Sequence, residues 1–130
     1  MILAVTLTTA AAAVIVNLWL GLRIGALRRA HGVSVGDGGI EALQRRMRAQ
    51  LNFAENVPIV LVLIAALEFA GIGETWLAYV AGAFILARVA HGFGMDGGKA
   101  QTGRMIGVLV TLGVQLFLAG VAIGVVLRVI

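Results

Sequence analysis

Four predominantly apolar stretches can be counted along this chain, at about 1–25, 41–70, 74–94 and 104–128, the second with a polar leading half. Each approaches the roughly 20 residues that a helix needs to cross a hydrocarbon layer about 30 Å thick. Turn signals separate them. Gly71 and Gly73 leave a very short connection between the second and third stretches, while GDGG (Gly36 to Gly39) and MDGGK (Met95 to Lys99) mark the other two loops. The pattern predicts an all-α membrane protein, a four-transmembrane-helix antiparallel bundle forming a single domain over residues 1–130. The first stretch reads as a retained helix and not as a signal peptide, since it lacks a basic leading segment, runs too long and is followed by no clear cleavage site.

Composition agrees with the pattern: 61% of the residues are hydrophobic and 12% charged, with mean hydropathy +1.04, outside the range of a soluble domain. A net charge of +4 is too small and too dispersed to suggest nucleic acid. There is no cysteine, which excludes disulfides and a thiol nucleophile from the chain itself. Any thiol chemistry must therefore use a thiol supplied by a substrate.

The basic residues set an orientation. Arg23, Arg28, Arg29, Arg45, Arg46 and Arg48 surround the first loop, and Arg88, Lys99 and Arg104 surround the third; the second loop has none and only Arg128 lies at the opposite end. The positive-inside rule then places loops one and three in the cytoplasm and both termini outside. Trp76 and Tyr79 fall at the outer interface. The second helix, about 45 Å long at 1.5 Å per residue, extends into the cytoplasmic headgroup zone, so the segment Arg45 to Glu55 lies around that interface. Small residues four apart (Gly21 and Gly25, Ala78 and Gly82, Gly120 and Gly124) allow close helix approach within the chain or between copies of it.

The informative stretch is RAQLNFAENVP, Arg48 to Pro58, which leads directly into IVLVLIAAL. At about 100° per residue, Arg48, Asn52, Glu55 and Arg45 share one face of the second helix. Arg88 and His91 stand one turn apart on the third helix, while Arg104, Thr111 and Gln115 share a face with Gly107 on the fourth. The connectivity brings Arg23, Arg48, Asn52, Glu55, Arg88, His91 and Arg104 to one membrane depth on the cytoplasmic side. Several guanidinium groups with one carboxylate and one amide suit a small zwitterionic anion: Arg binds carboxylates, Glu binds an ammonium and Asn pairs with an amide. Glutathione carries all three groups, and nearby positive charge helps to ionise its thiol. One histidine with one carboxylate is too thin a set for a metal.

At these residues the chain resembles the MAPEG family, the membrane-associated proteins of eicosanoid and glutathione metabolism, and within it the small bacterial branch. RAQLNFAENVP matches the family's Arg, Asn, Glu and Pro spacing. RVAH (Arg88 to His91) matches the third-helix motif, GRMIG (Gly103 to Gly107) the start of the fourth helix, and HGVSVGDGG (His31 to Gly39) the first loop of the bacterial branch. The resemblance implies a homotrimer with glutathione, as co-substrate, bound between subunits near the cytoplasmic face. Arg23, Arg48, Asn52, Glu55, Arg88 and His91 would hold it, and Arg104 would face the thiolate as the catalytic residue. The function implied is that of a glutathione transferase or glutathione-dependent peroxidase, in a bacterial inner membrane, acting on a lipophilic small molecule that arrives through membrane lipid. Leu51, Met95 and Gly107 stand where eicosanoid-forming members have Arg, Tyr and Tyr, which argues against a specialised eicosanoid synthase.

Each signal also has a plainer explanation. The stripe on the second helix would serve as interhelical polar glue, with Glu55 neutralising Arg48 or Arg88; Arg104 would snorkel to lipid phosphate. Asp37 is read as a cap or loop turn, Asn17, Thr111 and Gln115 as interhelical hydrogen bonders, Arg28, Arg29, Arg45 and Arg46 as anchors for anionic lipid, and Glu68 and Glu74 as solvated residues of the outer turn. Two other functions fit the same chain: a small four-helix proton-coupled exporter, and a non-catalytic lipid-binding membrane subunit. Against the exporter stand the shallow position of Glu55 on the second helix and the strong charge bias.

Overall fold

The computed structural model of the chain describes residues 1–73 and 75–130, so the reading of Glu74 lies outside the described residues. Four helices follow one another as α1 (Ala4–His31), α2 (Glu41–Phe69), α3 (Thr75–Gly94) and α4 (Gln101–Val126), with a single 3₁₀ turn at Gly98–Ala100 leading into α4. All are long and apolar enough to cross a membrane. The bundle is antiparallel, and its closest neighbours are α3 with α4 and α1 with α2.

The boundaries differ from the expected ones mainly at the end of α1, which continues six residues past position 25. The extension through Arg28, Arg29 and His31 is favourable because cations at a helix C-terminus complement its dipole. Gly32 then closes the helix in the left-handed conformation, φ 67°, with its N–H donating to the Arg28 carbonyl. In the loop that follows, Asp37 accepts the Gly39 N–H at 2.8 Å and the Gln44 amide at 2.8 Å. These two bonds hold its carboxyl below the usual carboxylate range. The expected loop-turn role is the observed one.

A thin core runs along the bundle axis through Leu20, Val60, Ile64, Leu77, Phe84 and Leu118. Large apolar side chains such as Leu18, Val62, Leu86, Leu109 and Leu116 point outward, as they do where lipid is the solvent and backbone polar groups are satisfied inside each helix. Tyr79 is exposed, while Trp76 packs edge-on against Phe117 with ring centroids 5.6 Å apart.

The pairing of α3 with α4 depends on glycine. A Cβ at Gly107 would lie 2.5 Å from the His91 Cβ and 2.7 Å from the Ala87 carbonyl oxygen. One at Gly103 would lie 2.6 Å from the Ala90 oxygen, and one at Gly94 would lie 2.0 Å from the Arg104 backbone nitrogen. Backbone meets backbone along this seam.

At the opposite end, Glu68 overturns the reading of it as a solvated residue. Its carboxylate accepts the N–H groups of Val5 and Thr6 and the Thr6 hydroxyl, each at 2.8 Å. The first turn of α1, which has no side-chain cap of its own, is thus capped from the last turn of α2.

Candidate functional site

The seven residues singled out from the sequence divide into three groups. Asn52, Arg88 and His91 are directed into the bundle; Arg88 is 2% exposed and His91 3%, and Asn52 is half-buried. Arg88 donates through Nη1 to Asn52 Oδ1 at 2.5 Å and through Nη2 to the Gly107 carbonyl at 2.9 Å. Its Nε, and the hydroxyl of Thr111 on α4, are buried without a hydrogen-bond partner among the described residues. Among the described residues Arg88 makes no ion pair, so Glu55 does not neutralise it within the protomer.

Asn56, which sequence reasoning passed over, and Gln115, read from the sequence as an interhelical hydrogen bonder, complete this interior web. Asn56 donates to the Asn52 carbonyl at 2.7 Å, and Gln115 donates to Asn56 Oδ1 at 2.9 Å. The web therefore links α2, α3 and α4 at one level. The spacing could have revealed Asn56: it lies four residues after Asn52, one turn deeper on the same stripe. Gln115 bonds as expected, but to Asn56, while Asn17 accepts from Gln50 at 3.4 Å.

Arg48, Glu55 and Arg104 form the second group and are exposed. Arg48 and Arg104 line a cavity of about 320 Å³ with Arg45, Gln101 and the backbone of Gly94, Met95, Gly97 and Gly98. Arg45 is neutralised by Glu41, which accepts from its Nη2 at 2.6 Å and its Nε at 3.0 Å. Arg48 and Arg104 make no ion pair among the described residues, so they supply the unbalanced charge of this cavity. A second cavity, of about 560 Å³, opens on the other side of Arg48 between Asp37, Gln44, Met47 and Leu51.

Glu55 continues the stripe of Arg48 and Leu51 and makes no ion pair among the described residues. It stands 14 residues into a 29-residue helix, about 21 Å from the start of a rod about 44 Å long. Such a helix overhangs a 30 Å hydrocarbon layer by only about 14 Å. Glu55 therefore stands at the middle of α2 and not at the shallow end expected from the sequence, which removes the positional argument against the exporter; an exposed carboxylate midway along a membrane helix requires a partner.

Arg23 forms the third group. Its guanidinium donates to the Gly92 carbonyl at 3.0 Å, pairs with the Asp96 carboxylate and lies over the rings of Trp19 and Phe93, 4.9 and 5.4 Å from their centroids. It is not among the residues lining the arginine cavity. The other loop arginines are also used internally. Arg28 donates to the Gly36 carbonyl at 2.6 Å, and Arg46 donates to the Arg23 carbonyl at 2.7 Å and approaches Asp96 at 3.5 Å. Of the four arginines read as lipid anchors, these two and Arg45 are committed to protein partners; Arg29 alone is exposed without a hydrogen bond to a neighbour among the described residues.

Comparison with known proteins leads in the same direction. The chain is 39% identical over 69 residues to the inner membrane protein YecN of Escherichia coli K12, and equally to that of Escherichia coli O6:H1; the match covers 52% of this chain and 52% of each relative. The chain thus spans about half the length of the curated relatives it matches. No solved structure matches it significantly. The model of the MAPEG family matches residues 6–124, a range that takes in α2 and α3 whole, nearly all of α1 and α4, the arginine cavity and the interior web. This membrane protein belongs to the MAPEG family.

Proposed function

We propose that the protein is a glutathione-dependent enzyme of a bacterial inner membrane, either a transferase joining the thiolate to a lipophilic electrophile or a peroxidase reducing a lipid hydroperoxide, and that it works as a homotrimer. The observation that carries this reading is the arginine cavity, where Arg48 and Arg104 present unbalanced charge beside the glycine-rich backbone of Gly94 to Gly98. Its donors fit carboxylate groups and a thiolate. Arg104 sits at the start of α4, where a cation opposes the helix dipole, so an anionic partner relieves an unfavourable placement. Among the described residues the cavity lining has no acid for the ligand's ammonium; Glu55, exposed midway along α2, supplies one if a neighbouring subunit closes over it. That need for a cover supports the trimer. Charge distribution supports an orientation with both termini outside and the arginine cavity toward the cytoplasm. The chain's own residues would bind and orient the thiol and hold its charge, and proximity to a substrate dissolved in the bilayer would supply most of the remaining acceleration.

Titration calorimetry of the detergent-solubilised protein with glutathione tests the reading, with the ultraviolet absorbance of the thiolate as a second signal. The parent is expected to bind glutathione and form thiolate. Arg104→Ala is expected to bind within a fewfold of the parent while forming thiolate about 10²-fold more slowly, as loss of one preorganised donor to a developing anion does. Absence of both signals in the parent sinks the enzyme reading. It would favour a non-catalytic lipid-binding subunit, which the inward commitment of Asn52 and Arg88 to each other also fits.

A further inference from the structure

The connection between α3 and α4 does two things at once. Its backbone at Gly94, Met95, Gly97 and Gly98 forms one wall of the arginine cavity. The one acid in that segment, Asp96, faces away from the cavity lining and engages two arginines from two other helices: Arg23 of α1 directly, and Arg46 of α2 at 3.5 Å. The two are further joined by the bond from Arg46 to the Arg23 carbonyl, 2.7 Å. Arg23 is also stacked on Trp19 and Phe93, whose rings lie 4.8 Å apart. On the cavity side, Gly97 has φ 84°, and a Cβ there would meet Arg45 Nη1 at 2.2 Å, so the wall is fitted closely to that side chain.

We propose that Asp96 is a specificity-determining residue that sets the charge of the arginine cavity: by holding Arg23 and Arg46 on the far side of the wall, it leaves Arg48 and Arg104 as the two cations that a ligand meets. This deepens the reading of the same cavity given above. The ligand class that follows is one with two separated anionic groups, each meeting one guanidinium. Without Asp96 four cations would compete around a cavity of this size, and selection would fall to net charge instead of to the placement of two groups. Asp96 acts through the arginines it holds and is a positioning residue.

The test needs no thiol ligand, so it can fail while the glutathione reading stands, and the reverse. The chain has no cysteine, so a single one at Gln101→Cys, on the cavity lining, reports its electrostatics through the ratio of reaction rates with a negatively charged and a positively charged methanethiosulfonate. Asp96→Asn is expected to raise the anionic-to-cationic ratio about tenfold at low salt, with the rise fading as the Debye length shortens. Asp96→Glu is expected to keep the parental ratio. In an Arg23→Gln, Arg46→Gln background, Asp96→Asn is expected to change the ratio by less than about twofold, because there are no cations to release. An unchanged ratio in Asp96→Asn overturns the proposal, as does an undiminished rise in that background, which would mean that the carboxylate acts on the cavity directly. Should Asp96→Asn fail to fold, single substitutions decide the matter. Arg23→Gln is expected to leave the ratio within about twofold of the parent while Arg48→Gln lowers it severalfold; equal falls in the two overturn the proposal.

Discussion

The interior web and the exposed stripe lie on successive faces of the same turns of α2, yet they are built on opposite terms. Inside, Asn52, Asn56, Arg88 and Gln115 bond to one another and to the Gly107 carbonyl, with only Arg88 Nε of that set buried and unpartnered among the described residues. Outside, Arg48, Glu55 and Arg104 make no ion pair among the described residues. Polar groups in a low-dielectric setting are costly unless paired, so the inner set is explained by the fold that encloses it. The outer set is not, and its cost must be met by something the single chain lacks. Residues that a family motif treats as one group thus separate into a part that holds the helices and a part left for a ligand or a neighbour.

Substitutions should separate the two regions. The largest effect is expected at the seam beneath the web: Gly107→Ala would force the α3 and α4 backbones apart at the Ala87 oxygen and the His91 Cβ, at a cost of about 3 kcal/mol or more. A large fall in the detergent unfolding midpoint would show it, and a midpoint equal to the parent's would refute the backbone contact. Next comes Arg88→Leu, which leaves the Asn52 side-chain oxygen without its donor at about 1–3 kcal/mol and removes a second bond from the Gly107 carbonyl, whose helix bond within α4 remains, partly offset by removal of a buried charge. The expected outcome is a lower midpoint with glutathione affinity reduced only as far as folding is. Glu55→Gln should have the smallest effect on the isolated subunit, under about 0.5 kcal/mol, while weakening glutathione binding with little change in turnover at saturation. If Glu55→Gln unfolded the subunit and Arg88→Leu did not, the division drawn between the two regions would be reversed.

Much of this was readable in the sequence because it is periodic. Four long apolar runs give four helices, and the 3.6-residue repeat puts Arg48, Asn52 and Glu55 on one side of α2. Asp37 was legible because its partners, Gly39 and Gln44, are close in the chain. What escaped depends on how helices cross. Glu68 looks solvated until α1 is placed with its first turn against it, 62 residues away. Arg23 belongs by depth with the other cations, but depth does not say which way a side chain turns, and the carboxylate that turns it, Asp96, is 73 residues distant. Arg28 and Arg46 read as lipid anchors for the same reason, their count and position suggesting the membrane while their partners appear only in the folded chain; Arg45 differs, since its partner Glu41 stands four residues earlier on α2 and was open to a sequence reading.

The grip of Glu68 on Val5 and Thr6 has a consequence for how the molecule is made. It closes α1 and α2 into a clasp, joined by the loop after Gly32 at one end and by a carboxylate at the other, just as the glycine seam closes α3 on α4. The N–H groups of Val5 and Thr6 find this partner only when the far end of α2 lies beside them, so each of the two helices completes the other and the pair, more than either helix, is the stable unit at that end.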